Sequence, residues 1–140
     1  TDNIKSRLDL WNVLKAVPAS NYRDYETPLY WMDFGNTQSM GQVVLGTIPK
    51  KIKQPASELY RTVDSLKVIT RFVKYARVKE ADSGPSCSLA EALEKQDLFI
   101  NSTLAQLGCN ILWKMFRHGM LEHHGLFLNL ETMKVNPISI

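Results

Sequence analysis

Cys87 is the residue whose type and position first suggest chemistry. It lies in "DSGPSCSLAEAL", residues 82–93, between a breaker-rich turn and a predicted helix start. Ser88 followed by Glu91 fits a capping box, in which the serine oxygen accepts a first-turn N–H and the glutamate reaches back. The unpaired N–H groups of that turn would place partial positive charge beside the Cys87 sulfur. Such a setting favours thiolate over thiol, the form that acts as a nucleophile. An idle cysteine ahead of a helix fits the same spacing, so both readings stand.

Asp33 closes the apolar run "LYWMDF", and Asn36 follows in "GN". A carboxylate at the C-terminal edge of a strand in an open α/β sheet is where ligands bind; an aspartate shaping a turn explains the position equally well. Asn36 has the same two readings. His118, His123 and His124 lie close in sequence, but no carboxylate or cysteine stands with them at a standard ligand spacing. They are expected at a solvated helix end and loop, with no metal site. Residues 50–79 carry nine basic side chains and two acidic ones in a chain of net charge +3. This basic stretch could meet nucleic acid or an acidic protein, but no nucleic-acid motif accompanies it. A solvated basic face is its ordinary explanation.

These residues need elements to position them. The 140 residues suffice for one domain, 1–140, with a real core. Residues 4–16 space Ile4, Leu8, Trp11 and Leu14 or Val13 for a short amphipathic helix. "LYWMDF" and "GQVVLGTI" read as strands, and residues 57–78 as a basic amphipathic helix. The segment 89–118 reads as a long helix stopped by Gly119, with Leu107, Ile111, Leu112 and Met115 on its packing surface. Its second half is apolar on most of its circumference and is expected to lie between other elements, with Cys109 in the core. Asn101, Ser102 and Gly108 are places where this helix could break. "GLFLNL" and "VNPISI" read as closing strands, with Pro137 restricting the second to an edge.

Two cysteines without a C-x-x-C predict neither a disulfide framework nor a four-cysteine zinc site, and a cytoplasmic protein. No run of 18 apolar residues occurs, so no membrane span is expected. The N-terminal residues lack the apolar block of a signal peptide and an initiator Met, which predicts a processed or truncated piece.

"PSCSLAEALEKQDLFINSTLAQLGCNILWKMFRHG" resembles the C-terminal part of ThiF-type adenylating enzymes, relatives of ubiquitin-activating enzymes. "YWMDFGNTQSMGQVVLGT" resembles the family's strand with the catalytic aspartate and following asparagine. The order of the two blocks is most similar to the branch encoded in the plasmid-type PRTRC gene cassette. The resemblance runs from about residue 28 to the end. It implies an α/β fold: the C-terminal half of a Rossmann-type adenylation domain, with a long buried helix and closing β-strands. It implies Mg-ATP-dependent adenylation of the C-terminus of a ubiquitin-like or sulfur-carrier protein, with transfer to Cys87 as a thioester. Asp33 would be the catalytic acid and Asn36 a nucleotide-binding residue. A homodimer is a further implied partner; a membrane or nucleic acid is not. In the family the aspartate directly precedes the asparagine, whereas Asp33 stands three positions before Asn36. The family's glycine-rich loop, arginine finger and zinc-binding cysteine pairs have no counterpart here, so ATP and Mg are expected only with a missing half. The rival expectation is a non-catalytic module that uses residues 50–79 to bind nucleic acid or an acidic partner.

Overall fold

The computed structural model describes residues 4–16, 28–48, 56, 65–73 and 96–140. They form helix α1 (Ile4–Ala16), strands β1 (Tyr30–Asn36) and β2 (Met40–Thr47), a single turn α2 (Ile69–Phe72), helix α3 (Ile100–His118) and strands β3 (His123–Asn129) and β4 (Lys134–Ser139). The class is mixed α/β. The four strands make an antiparallel sheet in the order β1-β2-β3-β4.

β2 occupies the interior of the sheet because its sequence suits both faces. Val43, Val44 and Leu45 are fully buried, so the run is continuously apolar rather than alternating. Val43 and Leu45 face α3, packing with Leu126 and Leu128 of β3 and with Ile100, Leu104 and Ile111 of the helix. Val44 faces the other way, where Trp31, Val68 and Ile69 pack with Leu10, Trp11 and Leu14 of α1. The sheet is thus a middle layer with α3 on one side and α1 and α2 on the other.

Two glycines permit close approaches. A Cβ on Gly46 would lie 2.6 Å from the Val68 Cα, so a side chain there would displace the segment that crosses the sheet. A Cβ on Gly108 would meet the Phe34 ring at 2.5 Å, so Gly108 lets α3 sit down on β1. The Thr47 side chain and N–H fasten that crossing segment: Leu66 N–H donates to Thr47 Oγ1 at 3.0 Å, and Thr47 N–H donates to Leu66 O at 3.1 Å.

The strand expectations hold, including a closing hairpin with Pro137 on an edge strand. Several helical ones are corrected. Residues 65–68 are not helical, Val68 and Val73 are extended, and only Ile69–Phe72 turns between them, so a continuous 57–78 helix is excluded. The 89–118 segment is not one unbroken helix: residues 96–99 are not helical, α3 begins at Ile100, and 89–95 lie outside the described residues. Asp97 accounts for this: its N–H donates to Gln38 O at 2.8 Å, and its Oδ1 accepts from Phe99 N–H at 2.9 Å. This local side-chain bond competes with helix hydrogen bonding. Asn101, Ser102 and Gly108 do not interrupt α3, which ends as expected at Gly119 with φ 66°.

Nor is the second half of α3 buried all round. Trp113 and Phe116 are 60% and 77% exposed, and Cys109 is exposed rather than in the core. One face is enough to cover the sheet, and nothing among the described residues covers the other.

Candidate functional site

β1 runs through Asp33 rather than ending there. Its alternation sends Trp31, Asp33 and Gly35 to the α1 side and Met32, Phe34 and Asn36 to the α3 side. Asp33 is 3% exposed. Its partner is Arg7 of α1, whose Nε donates to both carboxylate oxygens, at 2.9 and 3.2 Å. The same guanidinium donates from Nη2 to the Phe34 carbonyl at 2.7 Å. The Gln42 side chain, opposite Gly35 on β2, lies beside this pair. A Cβ on Gly35 would collide with the Gln42 amide and come within 3.1 Å of Arg7 Nη2, so a side chain there would push these two side-chain ends aside. Burial raises the Asp33 carboxyl above the ordinary aspartate range, with Arg7 and Gln42 opposing the rise.

Arg7 was not singled out by sequence reasoning, although a signal was present. The buried stripe of α1 is Arg7, Leu10, Trp11 and Leu14, with Leu8 exposed. A charged residue three and four positions before apolar ones, on the face turned to the core, implies a buried counter-charge.

Asn36 ends β1. Its Nδ2, on the opposite face of the sheet from Asp33, is buried without a hydrogen-bond partner among the described residues. Cys87, Ser88 and Glu91 lie outside the described residues, as does most of the basic segment; Lys67 and Arg71 within it are exposed.

The histidines do not act together. His118 and His123 are exposed, whereas His124 is buried, contrary to its expected place in a solvated loop. β3 and β4 pair at His123↔Ser139 and again at Gly125↔Ile138, leaving His124 as a bulged residue. The bulge brings its Nδ1 within 2.7 Å of the Leu45 carbonyl and its ring against Phe72. Nδ1 therefore carries the proton, and the imidazole ties β3 to β2 beyond their last paired residues. Among the described residues no three His, Cys, Asp or Glu side chains group to hold a metal. None of their helices is long and apolar enough to cross a membrane.

No family model, curated protein or solved structure matches the chain.

Proposed function

We propose that this chain is the C-terminal half of a ThiF-type adenylating domain and supplies the thiol side of its reaction. The observation that carries this reading is the difference between the two edges of the sheet. β4 is exposed at nearly every position and contains Lys134 and Pro137, features that blunt an edge. β1 has neither, yet Trp31, Asp33 and Gly35 are buried as in an interior strand. The Ile48 N–H bond to Leu29 O (3.0 Å) and the β1–β2 register point the main-chain groups of Trp31, Asp33 and Gly35 toward β2. Those of Met32 and Phe34 consequently point outward, toward an edge that no strand among the described residues covers. A sheet continuing past β1 into a nucleotide-binding half suits this arrangement, as does the order of the sequence blocks.

In this reading, a carboxylate oxygen of the carrier's C-terminal residue attacks the α-phosphorus of ATP, and pyrophosphate leaves. The Cys87 thiolate then attacks the acyl carbon, a thioester forms, and AMP departs. Activation followed by capture divides one difficult acyl transfer into two easier steps. Mg supplies charge neutralisation on the phosphates when bound with the other half. Asn36 offers its free amide donor to the nucleotide side. Asp33, already held by Arg7, serves as a framework residue. The family's adjacent Asp-Asn pair has a better counterpart in Asp2-Asn3, the one such dipeptide in the chain, directly before α1 in sequence. The assembled enzyme is read as cytoplasmic.

ATP–pyrophosphate exchange by the full-length enzyme with its carrier tests these assignments. Asp2→Asn should lower exchange by about two orders of magnitude or more, the scale of losing a group that acts at the transition state. Asp33→Asn should leave exchange near the parent's. Exchange abolished by Asp33→Asn at an unchanged melting temperature would return the catalytic role to Asp33. Micromolar Mg-ATP binding by the 140-residue chain alone would remove the half-domain reading.

A further inference from the structure

From Ile100 to His118, α3 contains no acidic residue, and its formal cations, Lys114 and Arg117, are exposed. Neither has an ion-pair partner among the described residues. The crest of the helix beside them is apolar. Cys109, Trp113 and Phe116 stand opposite the buried Leu104, Gly108 and Ile111 and are exposed. Met120, just past the helix end, is 52% exposed. Aromatic, methionine and arginine side chains are the types enriched where proteins dock on one another.

Polar residues edge that crest on one side. Gln106, Asn110, Lys114 and Arg117, all exposed, follow one another there at helical spacing. On the other side the surface turns through the half-buried Leu112 toward the core. The face is therefore directional: an apolar strip with side-chain N–H donors along one margin. The Arg117 guanidinium lies 5.7 Å from the centre of the Trp113 ring, so the cation is already held against the strip. Cations near a helix C-terminus also complement its dipole, but that role needs no exposed aromatic pair beside them. The complement of this face is a set of carboxylates alongside apolar side chains. The cationic margin is short, and Asp97 and Glu122 are exposed just beyond the two ends of the helix. A nucleic-acid backbone or an anionic bilayer would extend past the margin and meet those acids. A single peptide segment can confine its carboxylates to Lys114 and Arg117.

We propose that the outer face of α3 docks an acidic amphipathic helix of another protein, whose apolar stripe lies on Trp113 and Phe116 and whose carboxylates meet Lys114 and Arg117. This assignment does not depend on the adenylation reading, and it concerns a surface other than residues 50–79. Ion pairs as exposed as these add little affinity, so the aromatic contacts hold the partner and the cations select it. One helix pair buries less than the roughly 800 Å² per partner of a standard interface, so the complex is a dissociating one.

A displayed library of random peptides, each about as long as α3, can be selected on the full 140-residue chain. It should yield sequences rich in Asp and Glu, with apolar residues at three- and four-residue spacing. A synthetic peptide of the selected sequence should bind with a Kd on the order of tens of micromolar in calorimetry. Trp113→Ser with Phe116→Ser should weaken that binding by about tenfold or more. Lys114→Glu with Arg117→Glu should also weaken it, and replacing the peptide's acids by lysine should restore binding to this charge-reversed variant. The four substituted residues are exposed, and unchanged circular dichroism would verify that each variant folds. No enrichment, enrichment of basic sequences, or a selected peptide that binds both variants as well as the parent would overturn the proposal. So would tighter binding of a single-stranded oligonucleotide or of phosphatidylserine vesicles than of the peptide, or self-association of the chain through Trp113 in place of peptide binding.

Discussion

Asp33 and Arg7 form a buried pair whose charges are costly to separate. Arg7→Met strands a carboxylate that has little access to water, and the expected loss is about 3–5 kcal/mol at neutral pH. The loss should shrink in acid, where a proton neutralises Asp33. Replacing both partners, with Arg7→Met and Asp33→Leu, should recover much of the stability; urea unfolding measures each variant. The pH dependence has a definite sign. Asp33 has a raised pKa in the folded protein, so the folded state holds its proton to higher pH than the unfolded state does. The stability it contributes is therefore fully present below about pH 3.9, the unfolded value, and declines as pH rises through the folded one. Unfolding free energies of the parent and Asp33→Asn across that window should diverge in this direction. A parent that gains stability relative to Asp33→Asn as pH rises would contradict the dominance of burial. Asp33 and Asn36 were visible in the sequence as candidates, but Arg7 was not. Its role depends on a partner 26 residues away, and only the packing of α1 on β1 brings them together. His124 was missed for a related reason, because a bulge reverses the exposure expected at its position.

The elements were most legible where local pattern and final environment agree. The strands and the Gly119 stop belong to that group. The start of α3 was misread because Asp97 is held by the β1–β2 turn, a constraint that 89–118 does not carry within itself. Its extended apolar circumference predicts burial on all sides, whereas the structure buries one face and leaves Cys109 on the other. The consequence for stability is specific. Leu104 is 2% exposed inside the main cluster, while Leu107 packs from its partly buried rim. Leu104→Ala should cost about 2–5 kcal/mol and Leu107→Ala clearly less. Equal losses in denaturant titrations would mean that the rim is as tightly packed as the centre. The β3–β4 turn offers a gain instead. Met133 is a non-glycine residue at φ 54° and is 81% exposed. Asparagine tolerates that conformation better, so Met133→Asn should stabilise by about 0.5–1 kcal/mol, read as a rise in melting temperature.

At the scale of the molecule, a layered arrangement was legible from strands and helices that each have an apolar face, but strand order was not. Order depends on pairing across long stretches of sequence, which hydrophobic period does not report. That separation also matters for synthesis. β2 is the most deeply apolar strand, and β3, its second neighbour, comes much later: His124 and the Leu45 carbonyl it bonds are 79 residues apart. A ribosome adding about 5–20 residues per second leaves β2 without that neighbour for roughly 4–16 seconds. During this interval β1 and β2 can close locally, but the other flank of β2 remains an open apolar template for foreign strands. Chains that stall or are cut between β2 and β3 would keep that template permanently. The nascent chain is thus most vulnerable to aggregation between the synthesis of β2 and that of β3, and the arrival of β3 ends the exposure.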